Sequence, residues 1–184
     1  MNLFVLRNDP PGELLQHSFV MRLFQGKHPA RLLLASTLFC PLAAVSQTWK
    51  TTATGAWDTG SNWSTGSAPT GSTATAIFGT NTASNGTNIG INTAVTVGTL
   101  QFNSGAPAYN IAVNSGASLT LGGTGIVNNS SNPLTLTVNA SARVNFTGNS
   151  TAGNSILFLN SKGVIDFSGS SGTLTAGALT GSSS

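Results

Sequence analysis

Past residue 94 the chain keeps returning to one pattern, a few residues in which every second one is apolar, then a break at Gly, Asn or Ser. The runs are Val95–Val97, Leu100–Phe102, Ile111–Val113, Leu119–Leu121, Leu134–Val138, Val144–Phe146, Ile156–Leu159 and Val164–Phe167. A period of two puts alternate side chains on opposite faces of a strand, so each run reads as a short strand with one face turned inward. No window outside the N-terminal leader shows the i, i+3, i+4, i+7 spacing of an amphipathic helix. The clearest internal repeat aligns VNFTGNS with IDFSGSS, which places Val144 and Ile165 21 residues apart, and Phe146 and Phe167 likewise. That interval suits one coil of three short strands and three turns, whose inward residues stack on the same positions of the next coil. A single coil cannot bury its own face, so stability needs at least about three of them, and Val95 to Leu179 has room for about four. The expected fold is all-β, a right-handed parallel β-helix (solenoid), with residues 95–184 as its repeat region.

The polar residues agree with coils. Asn accepts left-handed backbone geometry and its amide bonds along a stack of turns, while Gly supplies positive φ without steric cost. Asn128, Asn129, Asn139 and Asn160 are therefore expected at corners. Thr135 and Thr137, in LTLTV, read as exposed strand formers rather than as an ice-matching array, which needs the motif in every coil. Gly/Ser/Thr-rich sequence also makes flexible linkers, but 39% hydrophobic residues in regular alternation favour order everywhere except the terminal GSSS.

Ahead of the repeats the composition changes twice. Residues 47–94 hold all three tryptophans, Trp49, Trp57 and Trp63, as TW, GAWD and SNW. A solenoid needs its first coil covered, so this segment is expected to be an N-terminal cap. The competing use is a platform of flat rings for stacking sugars. Residues 1–46 read as a leader. Arg22, Lys27 and Arg31 precede an apolar stretch from Leu32 to Val45 that ends at small residues, the layout of a helical secretory signal. Ala44 and Ser46 meet the small-residue requirement of a signal peptidase, which places cleavage between Ser46 and Gln47. The stretch is shorter than the ~20 residues that span a bilayer, and Pro41 interrupts it, so an anchor is disfavoured. Cys40 follows the bulky Phe39, which argues against lipid attachment. Asp9, Glu13 and Pro10-Pro11 suit neither a positive leader nor a continuous helix, and Met21 offers an alternative start.

Charge and residue inventory exclude several functions. Charged residues are 6% of the chain, and after Gln47 only Lys50, Arg143 and Lys162 face Asp58 and Asp166, a net +1. Three scattered cations cannot displace the counterions of a nucleic acid, so no nucleic-acid partner is expected. Catalytic β-helices gather carboxylates with His, Lys or Arg on one outer face. This body has two carboxylates, 108 residues apart, and no His, Cys or Glu. Asp166, between inward Ile165 and Phe167, should point outward as a solubilising charge near Lys162. No enzyme, metal site or cofactor is expected. GGTGIVNN resembles a calcium-binding β-roll repeat, but Val127 stands where that repeat places Asp, so its glycines read as turn formers.

GAWDTGSNW, AIFG, LQFNSG, SLTLGGTG and VNFTGNSTAGNS, in that order over residues 49–184, resemble the N-terminal passenger region of bacterial autotransporters carrying the autotransporter-associated β-strand repeat. The resemblance implies export across the inner membrane, a β-helical stalk at the cell surface and a C-terminal β-barrel translocator. No series of apolar-faced strands of about 9–11 residues occurs in this chain to form that barrel, and a truncated frame is the expectation. SLTLGGTGIVNN also lacks the Tyr-centred turn that the family places after its L-x-L strand. Two functions follow. The first is a secreted or cell-surface structural or adhesive β-solenoid, meeting surface glycans or a host or neighbouring cell. The second is a small secreted carbohydrate-binding module using Trp49, Trp57 and Trp63.

Overall fold

The alternating runs all become strands, and every pairing between them is parallel. The computed structural model describes residues 45–50, 54–80 and 87–182, all within one unit, Cys40–Ser184. The helical signal, the Met21 start and Cys40 lie outside the described residues. In chain order the strands are β1 Ser46–Trp49, β2 Gly55–Ala56, β3 Gly71–Phe78, β4 Thr87–Ile91, β5 Ala94–Phe102 and β6 Tyr109–Val113. They continue as β7 Ser118–Asn128, β8 Leu134–Val138, β9 Arg143–Gly148, β10 Ile156–Leu159, β11 Val164–Ser170 and β12 Ala178–Gly181. The helical content of the described residues is one 3₁₀ turn, Gly60–Asn62. Odd strands form one six-stranded sheet and even strands another, each in sequence order, so the chain crosses from sheet to sheet at every strand. That is a β-solenoid.

The coils of β3, β5 and β7 nonetheless have three straight runs, because there the odd sheet is folded along a corner. β5 pairs with β7 from Ala94↔Ser118 to Val97↔Leu121, and again from Thr99↔Gly125 to Phe102↔Asn128. Gly98 alone turns that corner in β5, whereas β7 uses Gly122–Thr124 and β3 uses Ser72–Ala74. Corners stack backbone on backbone, and a Cβ built on Gly123 would lie 2.9 Å from the Gly98 carbonyl oxygen, which explains a glycine there. Residue 95 is not the start of the rungs: β3 and β4, within the 47–94 segment, already belong to the same sheets as the repeats.

Register converts alternation into a core. Ile89, Ile111, Leu136, Leu157 and Leu179 are successive partners at intervals of 22, 25, 21 and 22 residues. Val95, Leu119, Val144 and Ile165 form a second inward column, and Gln47, Ala76, Leu100 and Ile126 a third. Most of these side chains are fully buried. Adjacent strands lie about 4.8 Å apart, so like residues in register meet at contact distance. The rings of Phe78 and Phe102 stack at 4.6 Å, and those of Phe146 and Phe167 at 4.8 Å. The 21-residue repeat holds from Val144↔Ile165 through Asn145↔Asp166 and then slips by one, since Gly169 rather than Ser168 pairs with Thr147. Ser168 is the extra residue of a bulge, and its N–H donates to Asp166 Oδ1 at 2.8 Å.

The corner after the even sheet carries an asparagine ladder. Asn114 Nδ2 donates to Asn92 Oδ1 at 2.7 Å, Asn139 to Asn114 at 3.0 Å and Asn160 to Asn139 at 2.7 Å; the Ser182 hydroxyl ends the row on Asn160 Oδ1 at 3.2 Å. Asn139 and Asn160 thus occupy corners, as does Asn129, whereas Asn128 is the last residue of β7 and only its side chain serves the turn that follows. Asn128 Nδ2 donates to the Asn132 carbonyl at 2.9 Å, and Asn129 N–H to the Phe102 carbonyl at 2.9 Å. The two ends of the stack differ. At the first coil aromatic rings cover the core, whereas in the last coil Ile165 and Phe167 are only half-buried and Leu179 is 69% exposed.

Candidate functional site

The tryptophan segment builds from a strand edge upward. β1 is the outermost strand of the odd sheet, and an uncovered edge there would leave a row of unpaired N–H and C=O groups. The chain closes it by doubling back. Ser64 N–H donates to the Thr48 carbonyl at 2.9 Å, Lys50 N–H to the Asn62 carbonyl at 2.9 Å, and Thr48 N–H to Ser64 Oγ at 3.0 Å. Residues 62–64 are therefore an antiparallel strap on β1, with Trp49 opposite Trp63. The 3₁₀ turn Gly60–Asn62 aims the strap, and Asn62 Nδ2 holds it to the Ala56 carbonyl at 2.9 Å.

Beneath the strap the three indoles form one aromatic plug. Trp49 and Trp63 meet edge to face at 5.1 Å, Trp57 and Trp63 at 4.8 Å, and all three lie within 6.5 Å of the Phe78 ring. Trp63 Nε1–H donates to the Trp57 carbonyl at 2.7 Å. Trp49, Trp57 and Trp63 are 3%, 2% and 0% exposed, so stacking a sugar on any of them requires the plug to open. Trp49 Nε1 is buried without a hydrogen-bond partner. The plug continues the aromatic column downward, since Tyr109 packs on Phe78 at 5.3 Å and on Phe102 at 5.5 Å. Burial pushes the Tyr109 hydroxyl up to about 12, above its ordinary 10.0.

Ser46 and Gln47, which flank the expected cleavage bond, both lie within β1. Ser46 is exposed and opposite Thr75; Gln47 is 4% exposed, opposite Ala76, and its Oε1 accepts from the Thr65 hydroxyl. The sequence gives no sign of this, because a signal motif describes the unfolded substrate of a peptidase.

The carboxylates are kept apart by the stack. Asp58 is exposed in the cap beside Trp57, and Asp166 lies on β11 at the other end of the odd sheet. Asp166 points outward as expected, but its cation is Arg143 rather than Lys162. Arg143 Nη1 lies 3.1 Å from Asp166 Oδ2, because Arg143 is opposite Val164 and its guanidinium reaches across to the next outward position of β11. Lys162 sits in the preceding turn with φ of 64°. Hydrogen bonds from Ser168, with Arg143 nearby, hold the Asp166 carboxyl below its ordinary value. The outward columns carry hydroxyls and amides, such as Thr96, Thr120 and Asn145, and Asn145 Nδ2 donates to Thr120 Oγ1 at 3.2 Å. Among the described residues no three His, Cys, Asp or Glu side chains gather where they would hold a metal ion. No protein family, curated protein or solved structure matches the chain.

Proposed function

We propose that this chain is an exported structural or adhesive β-solenoid, similar in role to the stalk of an autotransporter passenger, and that its work is to hold a regular, nearly neutral surface outside the cell. The observation carrying this reading is the continuous parallel pairing of both six-stranded sheets, with apolar columns inside and Thr and Asn columns outside. Such an arrangement supplies length and rigidity in proportion to the number of coils, which is what a stalk requires. The leader supports export, and the Asp166–Arg143 pair reads as a surface contact rather than proton-transfer machinery. The order of GAWDTGSNW, AIFG and VNFTGNSTAGNS supports the passenger likeness.

Expression of the full chain in a Gram-negative host tests the proposal by fractionation and mass spectrometry. A protein recovered beyond the inner membrane and beginning at Gln47 is the expected result. Recovery in the cytosol with the leader intact contradicts it. Applied to a glycan array, the processed chain should give no sugar-dependent signal; a signal lost in a folded Trp57→Ala variant would instead establish the sugar-binding role.

A further inference from the structure

The Ser46–Gln47 bond lies inside the first strand of the body, not in a loop ahead of it. Ser46 pairs with Thr75 and Gln47 with Ala76, and Thr75 N–H donates to the Val45 carbonyl at 3.2 Å. Immediately beyond the bond, the Gln47 side chain is interior and tied to the Thr65 hydroxyl. One residue further, the strap occupies the outer edge of β1 through the Ser64 N–H on the Thr48 carbonyl and the Thr48 N–H on Ser64 Oγ. Trp49 then locks the strand beneath Trp63. Enzymes and other partners that read an extended segment need a free strand edge for main-chain pairing and free side chains for their pockets. In the folded body one edge of β1 belongs to β3, the other, from Thr48 onward, to the strap, and alternate side chains belong to the core.

From this placement we infer that folding of the solenoid closes the Ser46–Gln47 bond to processing, so that the leader must leave before β1 docks. The reaction is hydrolysis: water adds across the amide, leaving a carboxylate on Ser46 and an amine on Gln47. Attack on a bond within a paired strand waits for local opening, and its rate scales with the open population. A chain that folds early therefore keeps its leader for as long as the cap holds. Processing and folding compete, and the cap decides which comes second. This inference rests on the export reading and its cleavage position.

An order-of-addition experiment on the full chain tests it. In one arm the chain is diluted from denaturant into detergent micelles already containing a bacterial signal peptidase; in the other it folds first and the peptidase follows. Mass spectrometry reads the product that begins at Gln47. Processing in the pre-folded arm is expected to be slower by about tenfold or more. A Trp63→Ala variant, which removes the ring that pins Trp49, is expected to restore processing of the pre-folded chain. Equal rates in the two arms for the unaltered chain overturn the inference while leaving the export reading intact. Absence of a Gln47 terminus in both arms refutes the cleavage position, and the inference with it.

Discussion

At the scale of single residues, the cap separates two tryptophans of the same type by what their indole N–H groups meet. Trp63 Nε1 donates to the Trp57 carbonyl at 2.7 Å, whereas Trp49 Nε1 is buried with no partner. A buried donor without a partner costs about 1–3 kcal/mol of desolvation, and losing a made bond strands the acceptor instead. Trp49→Phe is therefore expected to be tolerated better than Trp63→Phe, by about 1–3 kcal/mol in chemical denaturation. Equal effects of the two substitutions would contradict this account of the plug. Tyr109 adds a pH dependence of definite sign. Its hydroxyl titrates near 10.0 unfolded and about 12 folded, so the stability held by the neutral form is full below pH 10.0 and is lost as pH rises toward 12. Tyr109→Phe should retain the ring contacts and remove that part of the alkaline decline in melting temperature. Asp166 has the opposite sense. Its folded value is depressed, so its contribution is present above the ordinary 3.8 and fades as pH falls through the lower folded value; Asp166→Asn should flatten the acid limb.

At the scale of elements, the asparagine corner shows how much was readable in advance. Each ladder Asn directly follows the last inward residue of an even strand: Ile91-Asn92, Val113-Asn114, Val138-Asn139 and Leu159-Asn160. Asn139 and Asn160 are recognisable as corner residues from turn chemistry, but their bonding to one another depends on register, which 21- to 25-residue spacing conceals. Most strands past residue 94 were legible because alternation is local, but β12 and the second half of β7 match none of the alternating runs. β2 was not, being two residues held by pairing with Ile89 and Gly90. The strap at 62–64 was equally hidden, since nothing in SNWST distinguishes an antiparallel cover from a loop. Both of Asn139's ladder bonds are part-buried, at 3.0 and 2.7 Å, whereas one of Asn160's two is an exposed 3.2 Å bond from Ser182, so Asn139→Ala should cost about 1–3 kcal/mol and Asn160→Ala less, measured by urea denaturation. A reversed order would show that the ladder is ornamental.

For the whole molecule, the solenoid follows from one repeated local choice. Inward residues are apolar, corners are Gly or Asn, and each coil meets its neighbour in register, so local preference and global fold agree. The parallel partners are remote in sequence, which explains why strand positions are easier to read than strand neighbours. The aromatic plug finishes the first coil, while the half-buried Ile165 and Phe167 leave the last one open. Nuclear Overhauser contacts on the full chain test the central claim most directly. Methyl contacts are expected between Ile111 and Leu136, between Leu136 and Leu157, and between Leu119 and Val144, partners 25, 21 and 25 residues apart. Close Hα–Hα contacts between the sequence-adjacent β6 and β7, the mark of an antiparallel hairpin, with those methyl contacts missing, would contradict the stacked parallel coil.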